Sequence, residues 1–261
     1  MKIRVLGCYG GRLLGAHLSS FLVNETILLD AGSPTVTLDL DEQWLIRHMF
    51  ISHTHLDHIT DIAFLADNRS IKMRGQATRD NNIIIHSLPE HIEVIKKHVL
   101  NDLIWPDFTH IPVTGLPALS MMPFEAEEVV EADGVRITPI MVNHPVPCTA
   151  FLLDQDGSQF IYSADTGVTE RLWQVANAQP NLRGIILDCS FPNAHIGLAE
   201  ISGHLTPKGM ASELQKLQRL GEVPIYLFHM KPETMDVLLE EIAAEGIPNL
   251  TILKQDEVLE I

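Results

Sequence analysis

Short apolar runs punctuated by Gly, Asp, Asn and Pro dominate the chain, and their spacing predicts its elements. Residues 2–7 and 20–30 are apolar segments closing on Leu28-Leu29-Asp30-Ala31-Gly32-Ser33, which predicts a strand pair ending in a glycine turn. Between them Gly7, Gly10, Gly11 and Gly15 lack the G-x-x-x-x-G-K-[ST] pattern of a phosphate loop, so they read as a flexible turn. Residues 40–48 predict a short helix, and Met49 to Ile51 the end of a buried strand. Ile59, Ile62, Ala63 and Ala66 then recur at helical spacing. Residues 67–82 are polar and basic (Asn68, Arg69, Lys72, Arg74, Arg79) and predict a loop, followed by a strand at 82–86 and a helix at 89–100 with Pro89 early.

The segment 101–124, with prolines at 106, 112 and 117, shows no regular period; it could wall a pocket, form a homodimer contact or pack as a compact loop. After it, Ala132-Asp133-Gly134 between apolar runs predicts a hairpin, and a second joins 150–153 to 159–162. Helices at 169–178, 207–220 and 232–245 then alternate with strands at 184–188, 224–228 and 250–253. Strand-rich halves flanked by helices predict an α/β protein with two sheets face to face and helices outside, a four-layer sandwich.

Composition narrows this picture. The 261 residues, 46% hydrophobic, suffice for one large core, so a single domain over 1–261 is expected. No run approaches the ~18 apolar residues of a membrane helix. The start, Met1-Lys2-Ile3-Arg4-Val5-Leu6, reads as a first strand and not as a signal peptide. Cys8, Cys148 and Cys189 are odd in number and far apart, so free thiols and a cytoplasmic setting are expected. A net charge of −16, from 18 Lys and Arg against 34 Asp and Glu, leaves little for a basic face that could grip long nucleic acid. A small substrate is favoured, and an anionic one remains compatible if metal makes the site locally positive.

The chemistry concentrates in His53-Thr54-His55-Leu56-Asp57-His58. His53 and His55, two apart after a strand, point the same way, while Asp57 and His58 fall at a helix start. Neutral imidazole and carboxylate are the usual ligands of zinc, iron and manganese, so this stretch predicts a metal site; a polar loop of hydrogen-bonding histidines is the alternative.

The run H-x-H-x-D-H resembles the signature of the metallo-β-lactamase-fold hydrolases. That resemblance implies an isolated His, a single Asp and a late His downstream, and His144, Asp165 (in Ser163-Ala164-Asp165-Thr166-Gly167) and His229 stand in the matching places. It implies two divalent metal ions, zinc first with manganese or iron as alternatives. His53, His55, His144 and Asp165 would hold one, and Asp57, His58, Asp165 and His229 the other. Asp30 resembles the acid that braces the histidine loop in that family.

Leu187-Asp188-Cys189-Ser190-Phe191 and Gly203-His204-Leu205-Thr206-Pro207 further resemble motifs of the class II cyclic nucleotide phosphodiesterases. They imply hydrolysis of a small phosphate diester, foremost a 3′,5′-cyclic nucleotide, to the 5′-monophosphate. Asp57, Asp165, Asp188 and His204 would be its catalytic residues, with His204, charged beside Asp188, protonating the leaving oxygen. Asp188 as a plain strand end and His204 as a helix-cap neighbour is the alternative. Asp61 departs from the small residue usual there. Lys208, Lys231 and Arg69 are either phosphate or ring contacts or solvated charges. A tRNA 3′-processing endonuclease, a lactonase, β-lactamase or thioesterase, and a di-iron redox protein are the competing functions.

Overall fold

The computed structural model describes residues 1–73, 82–111 and 116–261. Strands β1 (Lys2–Gly7), β2 (Ser20–Val23), β3 (Ile27–Leu29), β4 (His48–Phe50), β5 (Ile83–Ser87) and β6 (Leu119–Pro123) come from the first half of the chain. Strands β7 (Val130–Ala132), β8 (Val135–Met141), β9 (Thr149–Gln155), β10 (Ser158–Tyr162), β11 (Leu182–Asp188), β12 (Ile225–Phe228), β13 (Leu250–Ile252) and β14 (Val258–Glu260) follow. Among the described residues they form two seven-stranded sheets, ordered β14-β1-β2-β3-β4-β5-β6 and β13-β12-β11-β10-β9-β8-β7.

Three apolar clusters define four layers. Phe21, Phe50 and Val5 of the first sheet meet Phe151, Tyr162 and Phe228 of the second in the central one. Helices α1 (Leu40–Gln43), α2 (Leu56–Ile59), α3 (Ile62–Met73) and α4 (Pro89–His98) belong to the first half, where Ile62, Leu65 and Ile95 pack on Met49 and Ile85. Helices α5 (Arg171–Ala178), α6 (Ile196–Ser202), α7 (Pro207–Leu214) and α8 (Met235–Glu245) belong to the second, where Trp173, Met210 and Leu238 pack on Ile185 and Leu227. The expected sandwich is the observed one.

Local chemistry sets the boundaries. Asp39 and Glu42 form a capping box on α1, and Thr206 Oγ1 accepts from Gly209 N at the start of α7, with Pro207 in the first turn. Both predicted hairpins turn on Asp-Gly pairs at positive φ, Asp133-Gly134 and Asp156-Gly157.

Several expectations shift. The predicted loop 67–82 is helical through Met73, because Arg69 is buried and donates to the carbonyls of Gln43, Trp44 and Ile46 where α1 ends. It is therefore neither a phosphate contact nor a solvated charge; burial pushes its guanidinium down to about 10. Arg74 and Arg79 lie outside the described residues. In segment 101–124, Trp105 packs edge-on against Phe64 at 5.3 Å, Phe108 is buried, and β6 extends the sheet beyond β5; Pro112 lies outside the described residues. Residues 20–30 are two strands, β2 and β3, and the helix expected at 207–220 ends at Leu214. Asp61 accepts from Thr35 N and Oγ1 at 2.8 and 2.6 Å, so this departure from the phosphodiesterase pattern braces a turn. Cys8, Cys148 and Cys189 are unpaired and buried. No helix among the described residues is long and apolar enough to cross a membrane.

Candidate metal centre

Strand direction assembles the site. β3 and β4 are parallel, as are β10, β11 and β12, so their C-terminal ends open on one edge of each sheet. Asp30 follows β3 and His53 follows β4; Asp165 follows β10, Asp188 ends β11, and His229 follows β12. His55 caps α2, which carries Asp57 and His58, and His144 follows β8.

All seven predicted ligands converge. His53, His55, His144 and Asp165 form one tetrad and Asp57, His58, Asp165 and His229 another; within each, the ligand atoms lie within 4.8 Å of one another. Asp165 Oδ2 stands 3.6 Å from His53 Nε2, 3.2 Å from His58 Nε2 and 3.3 Å from His229 Nε2. These are the two predicted sets, sharing the predicted carboxylate.

The outer nitrogen of most of these rings is spoken for. His58 Nδ1 donates to Asp30 at 2.7 Å, and His144 Nδ1 donates to Gly203 O at 3.1 Å. Both partners are pure acceptors here, so each ring carries its Nδ1 proton outward and turns Nε2 toward the focus. His53 Nδ1 meets Ser52 Oγ at 3.0 Å, and His229 Nδ1 meets Ser190 Oγ at 2.9 Å. His55 instead turns Nδ1 inward, 3.1 Å from His144 Nε2.

Does this set fit cations? Among the described residues, His53 Nε2, His58 Nε2 and Asp165 Oδ1 are buried without any hydrogen-bond partner. Native proteins rarely leave such atoms orphaned, and three around one point are what a ligand would satisfy. Burial above all holds His53 well below the usual imidazole range and lowers His55 and His144, favouring the neutral, ligating form. Burial opposes charge on His58 too, but the carboxylates of Asp165 and Asp30 override it and push that group well up. Burial likewise opposes ionisation of Asp57 and Asp165, yet the imidazoles of His229 and His58 keep both below the ordinary carboxylate range. Burial, reinforced by Asp165, keeps the Cys148 thiol protonated, so it does not compete as a ligand. The donor set fits two divalent cations.

Asp30 has the bracing position its place in the sequence implied. It is fully buried and accepts from Ser52 N and Oγ at 2.8 Å each, from His58 Nδ1 at 2.7 Å and from Tyr162 OH at 2.7 Å. Asp30→Ala should destabilise the metal-free protein by about 3–5 kcal/mol, because several buried donors lose their acceptor at once. Denaturant unfolding measures this; a loss below about 1 kcal/mol would mean the network rearranges freely.

The glycine-rich segment does more than turn. A Cβ on Gly10 would sit 2.4 Å from His229 O and 2.6 Å from His229 Nδ1. Gly10→Ala should therefore displace His229 and weaken the Asp57–His58 metal by about 10–100-fold, as disturbing a ligand's outer support typically does. Metal titration of the variant checks this, and an unchanged affinity would show that the ring has room.

The second predicted group is also in place. His204 Nδ1 lies 2.6 Å from Asp188 Oδ2, and the His204 ring stacks on His229 at 4.9 Å and 16°. Burial disfavours its charge, but the Asp188 carboxylate outweighs that and raises its pKa. Ser190, Ser52, Tyr162 and the Gly203 carbonyl complete the shell without having been assigned from sequence. Ser52 beside His53 and Ser190 two places after Asp188 were readable as neighbours of ligands; Tyr162 and Gly203 O were not. Lys231 Nζ donates to Gly10 O and lies 5.5 Å above the Phe191 ring, while Lys208 is exposed.

Sandwich and side-chain arrangement together define a metallo-β-lactamase-fold protein. The chain is similar in structure to the metallo-β-lactamase fold protein YhfI from Bacillus subtilis, with 21% identity, 99% of each chain covered and a TM-score of 0.78. It is also similar to unliganded yeast PDE1, with 20% identity, 100% of this chain and 99% of that one covered and a TM-score of 0.80. Residues 39–259 match the family of class-II cAMP phosphodiesterases, and the chain belongs to that family. Over 235 residues it is 27% identical to 3′,5′-cyclic-nucleotide phosphodiesterase 1 of Saccharomyces cerevisiae, covering 80% of this chain and 60% of that relative. The chain thus spans about three fifths of that relative's length.

Proposed function

We propose that this chain is a metal-dependent phosphodiesterase that hydrolyses a 3′,5′-cyclic nucleotide to the nucleoside 5′-monophosphate. The observation carrying this reading is the juxtaposition of two tetrads sharing Asp165 with the Asp188–His204 pair stacked against one of them. Zinc is the first candidate for both cations, with manganese or iron as alternatives, since His and Asp suit all three. Bound there, such cations would lower the pKa of bound water to near 7 and offset the charge of the phosphate.

The chain's own residues do the rest. Asp30, Ser52, Gly203 and Ser190 hold the ligand rings in one orientation. Asp57 and Asp165, kept ionised, are acceptors that orient the attacking water. Hydrolysis breaks the bond from phosphorus to O3′ of the ribose, which departs as a poor alkoxide. His204, its Nδ1–H bound to Asp188, delivers the proton on Nε2 to that oxygen. Without this proton the alkoxide would have to leave charged.

The charge of −16 favours a small substrate over the polymer of a tRNA 3′-processing endonuclease. Unpaired, buried thiols support a cytoplasmic setting, and the central cluster built from both sheets supports a single domain. The test is an assay of purified enzyme loaded with Zn, Mn or Fe on cyclic AMP, cyclic GMP and bis(p-nitrophenyl) phosphate. Release of 5′-monophosphates is expected. Inertness toward both cyclic nucleotides under every metal would overturn the reading.

A further inference from the structure

Beside the Asp188–His204 pair lies a cavity of about 280 Å³ that no metal ligand fills; His204, Asn143, Val168, Ile196, Glu200 and Gly203 are on its walls. Its construction is deliberate on both sides. Asn143 precedes the ligand His144, and Gly167 and Val168 follow the ligand Asp165 closely, so the ligand loops also supply one wall. Gly167 N donates to Asn143 O at 2.8 Å, and Asn143 Nδ2 donates to Val168 O at 3.1 Å, which ties that wall down. The facing wall is α6, on which Ile196 and Glu200 stand four residues apart and so share a face. Gly203, at φ 66°, ends this helix and sends the chain to His204. A Cβ there would lie 2.5 Å from Pro145 and 3.0 Å from His144 Cα, so only glycine closes this corner.

We propose that this cavity receives the nucleobase of the substrate, and that Glu200 selects guanine over adenine. The inference rests on the phosphodiesterase reading above. Since His204 protonates the leaving O3′, that oxygen must lie against it, and the ribose and base extend from the phosphate on His204's side. The cavity adjoins His204 there, and its volume is near the lower bound of small-molecule pockets, about 300 Å³. Val168 and Ile196 are 61% and 48% exposed, large aliphatic surfaces that a planar ring would cover.

Glu200 supplies the choice between bases. Apart from His204 it is the cavity's ionisable lining residue, and its carboxylate has no hydrogen bond or ion pair among the described residues. A carboxylate only accepts. Guanine presents the adjacent donors N1–H and N2–H, which two carboxylate oxygens can take together. Adenine presents the N6 donor beside an N1 lone pair, which the carboxylate repels. A well-formed bidentate pair discriminates by about 5–150-fold, and the exposure of Glu200 places the expectation at about tenfold.

The test measures kcat/KM of the metal-loaded enzyme for cyclic GMP and cyclic AMP, in the wild type and in Glu200→Gln. Bis(p-nitrophenyl) phosphate, which has no purine edge, reports the chemistry itself. The wild type is expected to favour cyclic GMP about tenfold, and Glu200→Gln to remove most of that preference through KM, beyond any change on the base-free ester. Inhibition constants of 5′-GMP and 5′-AMP should move in parallel. If both cyclic nucleotides are cleaved without a guanine preference, or if the preference survives in Glu200→Gln, the base site is overturned and the phosphodiesterase reading stands. Cleavage of the base-free ester alone would overturn both.

Discussion

Asp165→Ala should leave the enzyme without measurable hydrolysis and with both cations lost on dialysis. Imidazole offers one inward lone pair, whereas the Asp165 carboxylate has two oxygens and stands in both tetrads. Oδ1 is the orphaned atom and Oδ2 is the one facing His53, His58 and His229. Disturbing a hydrogen-bond partner of a ligand typically costs about 10–100-fold in metal affinity or activity. Removing the shared ligand itself should exceed that at both positions together. Metal content after dialysis and turnover on cyclic nucleotides are the two readouts. A variant that kept two cations and a tenth of its activity would show that Asp165 does not join the tetrads.

His204→Ala should cut turnover of cyclic nucleotides by about 10²–10⁴-fold, the usual range for a general acid. The loss on bis(p-nitrophenyl) phosphate should be far smaller, because p-nitrophenolate departs without a proton. That contrast separates an acid from a residue that merely supports His229, on whose ring it stacks. Asp188→Asn should show the same contrast more weakly, since it removes the charge holding the proton on His204 but keeps the side chain's shape. Equal losses on the two substrates would dismiss His204 as the donor. The contrast also bears on lactones and thioesters, whose cleavage should survive His204→Ala.

The residues that converge at the proposed metal centre were readable because chemistry and pattern coincided. Each ligand after the first motif follows an apolar strand, and parallel strands ending in polar residues can only expose them at one edge. Elements without such coincidence were hidden. β6 and β14 are edge strands whose Met121-Met122-Pro123 and Val258-Leu259-Glu260 show little of a buried strand's alternation. α6 was missed because Ile196 and Ile201 are exposed, so no stripe faces a core. The end of α3 read as loop because its anchor is the buried guanidinium of Arg69 in place of an aliphatic side chain. Positive φ at Asp30, Ala164 and His229 was equally invisible, since none of the three is glycine. Such conformations persist only where surroundings impose them, and all three sit at the site.

Each tetrad draws on both sheets. His53 and His55, or Asp57 and His58, come from the first half, while His144, Asp165 and His229 come from the second. In the proposed two-cation site, neither tetrad is therefore complete until the two sheets have docked. On the proposed reading, two-cation loading and the hydrolysis that depends on it arise only in the assembled sandwich, and ions bound there would hold its open edge closed.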